Sequence, residues 1–177
     1  MSVRNTKGVA AYDRGDFGTA LREWTPLAEQ GVANAQNNLG VMYKNGQGVP
    51  KNYKTAVKWY RLAAKQGHAG AQNNLGFLYM IGQGVPQNYQ TAIKWFRISA
   101  KQGFSLAQNN LGLLYVKGQG VVQDYVYAHM WWNIAASSGN KSAGTNRDKV
   151  AGKMTPADIS TAQKLACECV RKKYKDC

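Results

Sequence analysis

The chain has 177 residues, 44% of them hydrophobic, which excludes an intrinsically disordered polymer and leaves enough apolar material for a core. No run of about 18 apolar residues occurs, so a membrane-spanning helix is excluded. The 23 Lys and Arg against 9 Asp and Glu give a net charge of +14, and no acid lies between Glu29 and Asp124. A field of that sign attracts anionic partners and surfaces.

The first seven residues, Met1 to Lys7, carry charge but no apolar stretch of the kind a signal peptide needs. Gly8 to Tyr12 and Asp16 to Gly31 then read as a shortened helix pair joined by Asp13-Arg14-Gly15-Asp16. From there the chain repeats itself. Ala35-Gln36-Asn37-Asn38-Leu39-Gly40 returns at Ala71 to Gly76 and at Ala107 to Gly112, a period of 36 residues. The segment Gly46-Gln47-Gly48-Val49-Pro50 returns at Gly82 to Pro86, and at Gly118 to Val122 with the proline replaced. Trp59, Trp95 and Trp131 share one register, read here as packing, and so do the closing glycines Gly67, Gly103 and Gly139.

Each copy predicts two helices. The first runs over about 33–45, with Ala35, Leu39, Met42 and Tyr43 on one stripe, and ends at Gly46 and Gly48. The second runs over about 52–66, capped by Asn52 and, in later copies, by Asn88 and Asp124. Gly40 and Ala56 are small where helices must approach closely. No alternating strand pattern occurs. After the third copy Arg147 stands where Leu39, Leu75 and Leu111 stood, and a last helix starts at Thr155-Pro156. Ile159, Ala162, Leu165 and Ala166 would face the preceding repeat.

A helix pair this short cannot bury its apolar stripe alone, so the units must stack. The expected fold is all-α: a right-handed α-solenoid, or alpha-alpha superhelix, of helix-turn-helix repeats. The expected organisation is one repeat domain over 1–177. Its N-terminal capping unit is 1–31, its three repeats are 32–67, 68–103 and 104–139, and its C-terminal cap is 140–177.

These residues resemble the Sel-one-like repeat family, a branch of the tetratricopeptide-like solenoids. The shared pattern is A-x-x-x-L-G-x-x-Y-x-x-G-x-G-V followed by an alanine- and aromatic-rich helix ending A-A-x-x-G. It fits 33–67 and 69–103 closely and 105–139 with departures. The resemblance extends to the opening Gly8 to Trp24 and to the tail from Arg147 to Ala166. It implies a bacterial scaffold or adaptor that binds other proteins, often in envelope, secretion or virulence settings. It also implies that the first helix of each unit lines the concave face and the second lies on the convex face.

On that placement, Asn37, Val41, Lys44, Asn73, Phe77, Met80, Asn109, Leu113 and Val116 are the positions open to a groove. A column of asparagines offers donors and acceptors to an extended peptide, while the apolar members grip side chains. The alternative is that the asparagines are merely copied with the repeat. On the other face, Lys58, Arg61 and Lys65 share one side of a helix, and Lys94, Arg97 and Lys101 repeat them. This is either a solvated face or a dock for an anionic protein, glycolipid or membrane surface. Nucleic acid is not expected, because no groove-reading module accompanies the charge.

Catalysis is not expected, and neither is a cofactor or metal. The two histidines, His68 and His129, occupy unrelated repeat positions, and the acids cluster at the chain ends. Ser138 and Lys141 have S-x-x-K spacing, but Gly139 is a repeat-closing glycine and the partner motifs are missing.

All three cysteines fall near the C-terminus: Cys167, Cys169 and Cys177. Cys167 and Cys169 diverge on a helix and cannot bridge there. A Cys169–Cys177 disulfide would staple the cap and imply an oxidising compartment. The alternative is three free thiols in the cytoplasm. With the first repeat starting so early, the favoured expectation is a periplasmic or secreted protein whose leader has been removed.

Overall fold

A computed structural model of the chain describes residues 3–174, and they divide into two compact units, one up to Gln87 and one from Asn88. No strand occurs among the described residues. The first unit holds α1 (Val3–Asp13), α2 (Phe17–Glu29), α3 (Ala33–Asn45), α4 (Tyr53–Lys65) and α5 (Ala69–Ile81). Each of these helices packs on the next. The second unit holds α6 (Tyr89–Ala100), α7 (Ser105–Lys117), α8 (Tyr125–Ser137), α9 (Lys141–Ala151) and α10 (Pro156–Arg171). Here α6 to α9 also pack in succession, and α10 lies on α8.

The helix ends follow from local chemistry. The side chains of Asn52, Asn88 and Asp124 accept hydrogen bonds from the amides of Thr55, Thr91 and Tyr127 at 3.0, 2.8 and 2.9 Å. Each satisfies an amide that the first turn would otherwise leave unpaired. Asp16 does the same for Thr19, and this hydrogen bond holds its carboxyl below the usual aspartate value. Thr155 and Asp158 close a capping box at the start of α10, with Pro156 in its first turn. α3, α5 and α7 end at Gly46, Gly82 and Gly118, in the left-handed region at φ 74°, 70° and 63°.

The second glycine of each turn has a different task. A Cβ on Gly84 would stand 2.5 Å from the backbone of Tyr53, so the turn can rest directly on the first residue of α4. Gly48 meets Phe17, and Gly120 meets Tyr89, in the same manner. The glutamines between these glycines hold the contact: Gln47 accepts from the Tyr12 hydroxyl at 2.8 Å, and Gln119 donates to the Tyr89 hydroxyl at 3.1 Å.

The core combines alanines, leucines and buried aromatics of the second helices. Trp24, Tyr60, Phe96 and Trp132 share a repeat register, and all are buried. Glycines in the first helices make room for them. A Cβ on Gly40 would reach the Tyr60 ring at 2.5 Å, and one on Gly112 would reach the Trp132 ring at 2.5 Å. Gly8 gives way to Trp24 in the shortened first pair. Trp131 is fully buried, whereas Trp59 and Trp95 are half-buried.

Candidate functional site

The first helices of successive pairs run side by side, α1, α3 and α5 in one unit and α7 and α9 in the other. Two pockets open between them. In the first unit, Val9 and Tyr12 of α1, Asn38 and Val41 of α3, and Trp24 beneath them enclose about 240 Å³. In the second, Leu113 and Val116 of α7, Asn146, Lys149 and Val150 of α9, and Lys153 enclose about 190 Å³ with Trp132. The two are copies of one position. Trp24 and Trp132, and likewise Asn38 and Asn146, stand three repeat periods apart. Val9 and Tyr12 correspond to Leu113 and Val116 once the shorter first turn is allowed for.

Both pockets have fixed walls. In the first, the Tyr12 ring lies 5.6 Å from Trp24 and 5.4 Å from Phe17, and its hydroxyl is tied to Gln47. In the second, Trp132 Nε1 donates to the Asn109 carbonyl at 3.1 Å, and Asn146 Nδ2 donates to Asn109 Oδ1 at 3.3 Å. A rigid, largely apolar hollow with a few placed polar groups is what a binding pocket requires.

The expected groove residues separate into three sets. Val41, Leu113 and Val116 line the two pockets. Lys44, Phe77 and Met80 line neither; Phe77 is 37% exposed on α5, and Lys44 and Met80 are half-buried. The asparagine column makes hydrogen bonds within the protein. Asn74 Nδ2 donates to Asn37 Oδ1 at 3.2 Å, Asn109 receives Asn146, and Asn73 is buried. The Asn37–Asn74 and Asn109–Asn146 pairs bridge consecutive first helices.

The basic positions Lys58, Arg61, Lys65, Lys94, Arg97 and Lys101 are all exposed. The two arginines have partners: Arg61 donates to the Tyr79 hydroxyl at 3.0 Å, and Arg97 to the Tyr115 hydroxyl at 2.8 Å. Each ties a second helix to the first helix of the next pair. Cys169 is buried and disulfide-bonded, Cys167 is exposed and free, and Cys177 lies outside the described residues.

His68 caps α5, its Nδ1 accepting from the Ala71 amide at 3.0 Å. Burial holds its imidazole below the ordinary value. His129 is buried in α8, and burial and the Arg147 charge hold it low while Asp148 opposes them. Ser138 ends α8, with its hydroxyl donating to the Ile134 carbonyl at 3.3 Å. Among the described residues no group of three or more His, Cys, Asp or Glu could hold a metal ion. No described helix is long and apolar enough to cross a membrane.

Sequence reasoning did not single out Gln36, Gln72 and Gln108. All three are buried, and their Nε2 atoms donate to the carbonyls of Ala28, Ala64 and Ala100 at 3.0, 3.1 and 3.2 Å. The signal was present: Gln36, Leu39, Gly40 and Tyr43 fall on one helical stripe, so the glutamine faces the preceding pair.

The family model of the Sel1 repeat matches residues 33–68, 69–104 and 105–140. Among solved structures, a Sel1 repeat protein from Oxalobacter formigenes is similar at 30% identity and a TM-score of 0.78, over 97% of this chain and 75% of that one. A protective antigen of uropathogenic Escherichia coli strains displaying an SLR fold is similar at 30% identity and a TM-score of 0.66. That likeness covers 88% of this chain and 42% of the antigen. No curated protein matches the chain.

Proposed function

The chain belongs to the Sel1 repeat family, an α-solenoid family of generally non-catalytic protein-interaction scaffolds, and we propose that it is an adaptor capturing a protein or peptide on its first helices. The observation that carries this is the pair of tryptophan-floored pockets at equivalent repeat positions. Each pocket suits an anchoring side chain of a bound protein or peptide. Val41, Leu113, Val116 and the exposed Phe77 are the gripping residues of this reading. Asn37 and Asn109 shape the surface by joining its helices, while Asn73 is buried within α5.

The test is selection of peptides from a displayed library on the wild-type protein, followed by affinity measurement on variants. Val41→Arg and Leu113→Arg should each weaken binding at least about tenfold with helicity unchanged, as expected when a central anchor contact is lost. Lys58→Glu should not. Unchanged affinity in both pocket variants would contradict the proposal.

An anionic glycolipid or membrane surface is the other reading, using Lys58, Lys65, Lys94 and Lys101. The peptide reading is preferred because Arg61 and Arg97 are engaged by tyrosines. We further propose an oxidising compartment, periplasmic or secreted, which the bonded state of the buried Cys169 supports. A single reactive thiol in unfolded, unreduced protein is expected; three would contradict it.

A further inference from the structure

The pockets differ in charge, and the difference identifies a class of ligand. Resting on the peptide-binding reading above, we propose that the pocket between α7 and α9 takes an acidic peptide. An apolar side chain would sit against Trp132, and a neighbouring carboxylate would be held by Lys149 and Lys153.

The lining residues supply both halves of that recognition. Leu113, Val116, Trp132 and Val150 form an apolar hollow of about 190 Å³. An apolar cavity of roughly 150 Å³ is large enough for a benzene ring, so one leucine or phenylalanine side chain fits. Trp132 and Asn146 are both anchored on Asn109, so the floor is in place before a ligand arrives. At the rim stand two lysines, and no acid among the described residues lines the pocket. Asp148, the acid adjacent in sequence, is already paired with Arg147 at 2.8 Å.

The sister pocket is the internal comparison. Val41 occupies the position of Lys149, and Asn45 that of Lys153, so the lysines are not part of the repeat pattern. They are specific to the last pocket. Two ammonium groups beside an apolar hollow favour a carboxylate next to an apolar anchor and disfavour a basic chain. The long-range field agrees, since the chain carries +14.

The probe is a pair of fluorescein-labelled hexapeptide pools, each with one randomised apolar position, flanked by aspartates in one pool and by asparagines in the other. Fluorescence polarisation on the full chain should show the aspartate pool binding at least about tenfold tighter, losing that advantage at high salt. Lys149→Gln with Lys153→Gln should erase the difference between pools. Val41→Lys in the sister pocket should not erase it. Equal binding of both pools to wild type would overturn the proposal, as would an advantage that survives the double variant. A lower melting temperature with unchanged peptide affinity would also overturn it, assigning the lysines to the C-terminus of α9. Leu113→Arg separates the two levels of the account. If it abolishes binding of both pools while they bind alike, the groove stands and the acid preference falls. If neither pool responds to Leu113→Arg, the groove reading falls too.

Discussion

Gln72 Nε2 donates to the carbonyl of Ala64 across the gap between α4 and α5, and both groups are buried. The same bond joins Gln36 to Ala28 and Gln108 to Ala100. A buried amide in an alanine-rich seam fixes the register of one pair on the next, because a shifted helix would leave it unsatisfied. Replacing Gln72 or Gln36 by Ala should lower stability by about 1–3 kcal/mol. Urea unfolding would read this as a lower midpoint at unchanged slope. An unchanged midpoint would remove the glutamines from the account.

The helices were legible in the sequence because their ends are local. Asn52, Asn88 and Asp124 cap helices within three residues, and the glycine turns stop the helices before them. The positions Val41, Leu113 and Val116 were named on the placement that the family resemblance implies, and they line the two pockets. The pairing of the asparagines was not legible. Asn37 reads as outward-facing on its own helix, and its partner Asn74 lies 37 residues on, in the next copy. Trp24 and Trp132 were obscured because their register holds Tyr60 and Phe96 elsewhere, and a varying aromatic reads as core. Lys149 and Lys153 lie outside the three copies, so the repeat gave no position for them.

Two glycines in helices should respond oppositely to alanine. At Gly40 the new methyl would stand 2.5 Å from the Tyr60 ring, and overpacking there should cost about 1–3 kcal/mol. At Gly18 the nearest atom is 3.9 Å away, so the gain in helix propensity should stabilise by roughly 0.5–1 kcal/mol. Thermal melting of Gly40→Ala and Gly18→Ala decides the point, and shifts of the same sign would contradict the packing.

Among the described residues the buried Tyr60 hydroxyl has no hydrogen-bond partner, and burial pushes its phenol well above the ordinary value. Phe96 fills the same register in the next copy without a hydroxyl. Tyr60→Phe should therefore raise stability by about 1 kcal/mol by removing an unpaired polar atom. A drop of that size in a denaturation curve would show that the hydroxyl has a partner.

His129 is buried and held below its ordinary value of 6.5. The unfolded chain then binds a proton that the folded protein resists, so stability is complete above about pH 6.5 and falls as the pH drops. His68 contributes in the same direction through its own burial. His129→Val, which restores the residue type of Val57, should flatten the melting temperature between pH 7 and 5, conditions that span an unperturbed histidine titration near about 6.5. Equal slopes in wild type and variant would contradict the assignment.

The central claim is that the first helices form the binding surface, and an amide chemical-shift titration with a library-selected peptide tests it most directly. The account predicts that the largest changes fall on Val9, Asn38, Val41, Leu113 and Val116. Changes concentrated on Lys58, Lys65, Lys94 and Lys101, with the first helices silent, would contradict it.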